Sequence, residues 1–198
     1  MIHYRTEFRG KEVFIRDLEQ RDVEILVRYW HESPVPFLQS LGVDLAKLRS
    51  PAETRQRLLN SILNDGDGSR SRVYYIVEAG NQVIAYTNLN LGSVESGEGC
   101  AHFHVLTPNL WAKAVCYVLF PEGMRIFFKT VPVDRIVFQI SPQNRNIARM
   151  LDRFNLQSRL VRLEVPDGMA RPGLFNVYEI HKEQVASLAR HAAAPGGE

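Results

Sequence analysis

The chain has 198 residues, 45% hydrophobic and 23% charged, which is apolar material for one well-buried domain and short for two. Basic residues outnumber acidic ones by only 24 to 22, and no basic run interleaves with aromatics, which argues against a nucleic-acid partner. The polar, alternating start MIHYRTEFRGKEVFIR is no secretory signal, and no apolar run approaches the ~20 residues that cross a bilayer, so no membrane partner is expected. The two cysteines, Cys100 and Cys116, show neither metal nor redox spacing and suit a reducing compartment. These features predict a soluble, cytoplasmic single domain over residues 1–192, with a disordered tail over 193–198.

In chain order, EVFIRDL (Glu12–Leu18) alternates apolar and polar residues and reads as a strand. A helix follows from about Glu19 to His31, with Val23, Leu26, Val27 and Trp30 on one face. The prolines of SPVPF stop it. Ser50, Pro51 and Glu53 are the cap, first and third positions of a second helix, which buries Leu58, Leu59, Ile62 and Leu63. DGDGSRSR breaks that helix, and a hairpin follows: VYYIVEA, a Gly80-Asn81 turn, and QVIAYTNLNL. GSVESGEG is a second turn region and CAHFHVL a third strand of this run. Residues 110–129 form an apolar helix that Pro121 should kink or divide.

DRIVFQIS then reads as a strand buried on both faces. PQNRNIARMLDRF is a short helix with Ile147, Ala148 and Leu151 inward, ended by Asn155 in the left-handed conformation. SRLVRLEV and LFNVYEI, joined by PDGMARPG, finish the sheet. The predicted order is β-α-α-β-β-β-α-β-α-β-β. That is an α/β (α+β) domain with a mixed central sheet of about six to seven strands flanked by helices. Any parallel pairing falls across the helix at 110–129.

Chemistry concentrates in HFHVLTPNLWAKAVCYVL (His102–Leu119), a strand, a loop and a helix start. The N-terminus of such a helix presents unpaired N–H groups and a partial positive charge, a ready anion site. Every strand-to-helix junction in an α/β domain shares that property, so the geometry does not by itself specify phosphate. On the strand, Cys100, His102 and His104 alternate onto one face, with Glu95 and Glu98 upstream. An imidazole is suited to accept a proton from an ammonium group. The bland reading of the same residues is also open: half-buried sheet histidines, Trp111 as a packing residue, Lys113 in solvent and Asn144 as a helix cap.

LTPNLWAKAVCYVL after a strand resembles the acyl-CoA loop of the GNAT acetyltransferases, in the ribosomal-protein and aminoglycoside-like branch whose pattern is roughly W-G-K-G-x-A. SPQNRNIARMLDRFNLQ is similar to the family's helix N-x-x-A-x-x-x-x-x-x-x-G-F, with Asn144 at the asparagine, Asn155 at the glycine and Leu156 at the phenylalanine. Together with the element order, the resemblance spans Glu12 to about Ile180. It implies a GNAT-like fold, acetyl-CoA as co-substrate, and transfer of an acetyl group to a small-molecule or protein amine. The cofactor-binding set it implies is Leu106, Trp111, Ala112, Lys113, Ala114, Val115 and Asn144. Backbone amides of 112–115 would hold the diphosphate, Lys113 would add charge, and Asn144 would meet the pantetheine arm. His104, with His102 second, is the implied base or acceptor-positioning group.

The departures are specific. Ala112 and Ala114 stand at glycine positions, where each adds a methyl group to the diphosphate's approach. Leu151 stands where other branches carry a tyrosine acid. They favour the alternative of a catalytically degenerate binding or assembly protein on the same fold. The acceptor site is expected from about Val35 to Arg72 and from Leu160 to Leu174.

Overall fold

The structure, a computed structural model, describes residues 1–63, 72–91, 97–107, 110–164 and 168–193, the side chains of 110–113 and 191–193 excepted. The sheet begins one strand earlier than the sequence predicted. Ile2–Phe8 (β1) pairs antiparallel with Lys11–Asp17 (β2) around Arg9 and Gly10, whose φ angles of 51° and 74° make the primed turn that matches strand twist. β1 is an edge strand with no fully buried residue, so its sequence carries too little hydrophobic contrast to stand out.

A single 3-10 turn leads into Val23–Glu32 (α1), which buries Val23, Leu26 and Val27. The prolines of SPVPF do end α1, but a proline is tolerated in a helix's first turn, so the chain restarts as Val35–Ser40 (α2). Pro51–Leu63 (α3) starts at the expected capping box: the Ser50 amide donates to the Glu53 carboxylate (2.8 Å) and the Glu53 amide to Ser50 Oγ (3.3 Å). Arg72–Ala79 (β3) and Gln82–Leu91 (β4) form the predicted hairpin, with φ of 54° at Gly80 and 63° at Asn81. Glu98–Val105 (β5) follows. Leu110–Thr130 (α4) runs as one helix through Pro121 rather than dividing there. The remaining elements are Arg135–Ile140 (β6), Arg145–Arg153 (α5), Ser158–Leu163 (β7), Gly173–His181 (β8) and Val185–Ala193 (α6). Asn155 takes the left-handed conformation after α5 (φ 61°).

The eight strands lie in the order β1-β2-β3-β4-β5-β6-β8-β7, and β5–β6, across α4, is the parallel pair. The mixed α/β architecture agrees with the sequence reading, with β1, α2 and α6 added. Most of DGDGSRSR, residues 92–96, residues 165–167 and the tail beyond Ala193 lie outside the described residues. Among the described residues no helix is long and apolar enough to cross a membrane.

Strand alternation gives the sheet two different faces. Against α4 it presents Tyr75, Ala85, Leu89, Ala101 and Phe138, which form the main core with Phe120, Phe127 and Leu151. Against α1 and α3 it presents Ile76 and Tyr86, in a smaller core with Leu26, Val27 and Leu58. Beside that smaller core the strands turn polar, and a cavity opens.

Candidate functional site

The parallel seam is short. β5 and β6 pair at Glu98↔Arg135, Gly99↔Ile136 and Cys100↔Val137, and no further. On their outer sides both stay paired: β5 with β4 as far as Val105↔Ala85, and β6 with β8 as far as Ile140↔Asn176. Their facing edges therefore part beyond Cys100 while each strand keeps its extended form. The result is a slot between the two strands beyond Cys100. Its closed end is tied by Arg135, which pairs with both Glu98 and Glu179, and by the amides of Asp134 and Arg135, which donate to the Gly97 carbonyl (2.8 and 3.1 Å).

Next to the slot, on the α1/α3 side, lies a cavity of about 250 Å³. Its floor holds Arg72, Asn88, Asn90, His102, His104 and Gln139, from β3 through β6. Its roof is made by two loops tied together. Val43 bridges Ala170, the Asp44 amide donates to the Met169 carbonyl (2.7 Å), and the Arg171 amide donates to the Gly42 carbonyl (3.0 Å). Gly42 is required at this join, because its φ is +86° and a Cβ there would lie 2.9 Å from Ser141 Cβ. Both segments in which the sequence placed the acceptor site thus contribute to this cavity.

The predicted site residues divide. His102 and His104 both line the cavity, in different surroundings. The His104 ring stacks on Tyr86 (4.7 Å between centroids), meets the Trp30 edge at 5.0 Å, and has Nδ1 3.1 Å from the Tyr29 hydroxyl. Burial, with a smaller contribution from His102, pulls the His104 pKa down to about 3, so its imidazole stays neutral and is a poor proton sink at neutral pH. His102 Nε2 lies 3.2 Å from the Asn90 amide nitrogen, and its carbonyl accepts from Thr87 Oγ1 at 2.8 Å.

Leu106 spends its amide on the Ile84 carbonyl (2.8 Å). Because α4 begins at Leu110, the amides of Ala114 and Val115 are positioned to close its first turns, and those of 110–112 remain as end-of-helix donors. Val115 itself is buried in the main core. Ala112 and Ala114 lie within the helix, where alanine is the most favourable residue and glycine would be a burden, so local conformation does not require the missing glycines. Asn144 occupies the N-cap position of α5 but makes no side-chain cap bond. Leu151 is fully buried and offers no proton. Burial pushes the Cys116 thiol up to about 12, which leaves it inert. Sequence reasoning missed Arg72, Asn88, Asn90 and Gln139. A polar residue at every second position of Tyr86-Thr87-Asn88-Leu89-Asn90 was the available signal.

No protein-family model matches the sequence, and no curated protein matches it either. Solved structures do. A RimL ribosomal L7/L12 α-N-protein acetyltransferase in complex with coenzyme A superposes with a TM-score of 0.69 at 12% identity, over 91% of this chain and 98% of that one. Mycobacterium smegmatis RimJ in complex with CoA-disulfide gives 0.68 at 15% identity, over 93% and 90%. The microcin C7 self-immunity acetyltransferase MccE, in complex with acetyl-CoA and AMP, gives 0.64 at 10% identity, over 85% and 92%. At such identities the likeness is one of fold: this chain is built as those acetyltransferases are, on the GNAT fold.

Proposed function

We propose that this GNAT-fold chain is an acyl-CoA-dependent N-acetyltransferase that uses acetyl-CoA and a small-molecule or protein amine. The observation that carries the reading is the seam that stops at Cys100↔Val137 beside a polar cavity. An extended arm with amide groups fits between the parted strands, where the backbones that face the slot can bond it. The amides at 110–112 are left to meet a diphosphate, with the charge of Lys113 close in sequence. Asn144, uncommitted as a cap, is available to the arm or to the adjacent backbone. Acetyl-CoA supplies the acyl group as a thioester. The chain's own task is to orient an amine across the slot and take up the proton that the amine loses.

The base role is assigned to His102, which lines the cavity beside Asn90. His104 is nearer the loop but packed among three aromatic rings with its basicity depressed, so it serves as a wall that positions the amine. No proton donor for the leaving thiolate is assigned, since Leu151 fills that position. The bound coenzymes in the RimL, RimJ and MccE structures support the donor assignment.

Thermal unfolding with and without acetyl-CoA tests the donor. Binding to the native state at 100 times Kd adds about 2.7 kcal/mol and raises the midpoint. No shift at millimolar acetyl-CoA would remove the reading. Where a shift is found, thiol release with a panel of amines separates a transferase from a binder. A His102→Ala protein that turns over normally removes the base assignment and leaves the rest standing.

A further inference from the structure

The cavity floor and walls contain three arginines, Arg49, Arg57 and Arg72, and among the described residues that line it there is no aspartate or glutamate. Arg72 is the informative one. Its Nη1 donates to the Tyr74 hydroxyl (3.3 Å), while its Nε is buried without a hydrogen-bond partner among the described residues. A desolvated guanidinium N–H with no acceptor is costly, and native structures seldom leave one. Next to it, Asn90 is the β4 partner of Arg72, and Asn88 Nδ2 donates to Asn90 Oδ1 at 3.1 Å. Both asparagines are buried, so the spot pairs a cation with carboxamide groups in a site shielded from water. Guanidinium presents a planar fork that matches carboxylate and phosphate, and a low dielectric strengthens the attraction.

We infer that the acceptor is a small amine with an anionic group, carboxylate or phosphate, at its other end, and that Arg72 holds that anion. The inference rests on the transferase reading and narrows it. The volume of about 250 Å³ suits a molecule of amino-acid to dipeptide size. Charge also orients the acceptor. The arginines repel an ammonium, so the amine lies at the histidine and Gln139 end, against the slot. Two strand spacings, roughly 10 Å, separate the β3 and β5 backbones that carry Arg72 and His102. A positive field lowers the pKa of an ammonium group and so favours the neutral, nucleophilic amine.

Matched amines test this. Initial rates of thiol release from acetyl-CoA are compared for 5-aminopentanoate against 5-aminopentanamide, and for 3-aminopropyl phosphate against 3-aminopropan-1-ol. The anionic member of at least one pair is expected to be favoured tenfold or more in kcat/KM, mainly through KM. Which pair discriminates identifies carboxylate or phosphate. Arg72→Gln should erase the preference, read as the ratio of kcat/KM between the anionic and the neutral member of each pair, and Arg72→Lys should restore part of it. Arg49→Gln, at the exposed rim, should weaken it by a smaller factor and keeps the test open if Arg72→Gln does not fold.

Thermal midpoints with each amine alone read the anion site without turnover. If acetyl-CoA neither binds nor is consumed, the transferase reading fails. A midpoint raised by an anionic amine, and not by its neutral partner, still supports the Arg72 site. Equal response to both members of both pairs, or a preference that survives in a folded Arg72→Gln protein, overturns the inference.

Discussion

Along β4, Ala85, Thr87 and Leu89 look toward α4 while Tyr86, Asn88 and Asn90 look toward α1 and α3, and all six are buried. Burial therefore does not distinguish the two faces; chemistry does. The α4 face is hydrocarbon filled by Phe120, Phe127 and Phe138, and it carries the stability. The opposite face buries carboxamides and imidazoles whose first partners are one another, Asn88 to Asn90 and Asn90 to His102. Such groups add little net stability, since each exchanges bonds to water for bonds to protein. Their place beside the cavity is what the proposed acceptor site would use.

Substitutions on the two faces should separate stability from function. Phe127→Ala, in the dry core and fully buried, should cost about 3–5 kcal/mol in urea unfolding, the usual penalty for a large cavity. His104 should be visible through acid. Its folded-state pKa of about 3 lies below the ordinary value of 6.5, so between those values the unfolded chain binds a proton that the native chain refuses. Stability is thus lost as pH falls through that window, by up to about 1.4 kcal/mol per pH unit. His104→Phe should flatten that slope in denaturation curves taken from pH 7 to pH 4.

Gly42→Ala attacks the roof, and strained torsions plus the close approach of Ser141 should cost about 1–3 kcal/mol and raise the KM for the amine. Ala114→Gly, inside α4, should lose about 1 kcal/mol. A glycine there should not tighten acetyl-CoA, as a titration would read. At Asn88→Leu, losing the bond to the buried Asn90 Oδ1 should cost about 1–3 kcal/mol, with acceptor use lost. An Asn88→Leu protein that kept its acceptor kinetics would break the division of labour between the faces.

Much of the frame was legible because local rules carried it. Ser50-Pro51-Glu53 announced α3, Gly80-Asn81 announced the hairpin, and Asn155 closed α5 in the predicted torsion. β1 escaped because an edge strand has no buried face to imprint a pattern. α2 escaped because proline ends one helix and begins another with the same ring, and only the tertiary context separates the two. In the site, His102 and His104 were visible as alternating polar residues in one strand, yet their difference was not. It arises from Tyr29, Trp30 and Tyr86, which come from distant parts of the chain. Arg72 was hidden for a related reason: an arginine at a strand start looks solvated until the fold buries its Nε.

The short seam also has a mechanical meaning. Five strands stand on one side of it and three on the other, and the sheet joins them through three residue pairs and the Arg135 clasp. A notch concentrates strain at its tip, here Cys100↔Val137, so the two leaves should part first at that point. Beneath the notch, Phe120 of α4 lies against Phe138 of β6 at 5.9 Å, a dry weld that limits how far they open. A molecule lodged between β5 and β6 would then act as a splint. It would stiffen the leaf that carries β6, β8 and β7 against the leaf that carries the cavity floor, and lock Gln139 in register with His102.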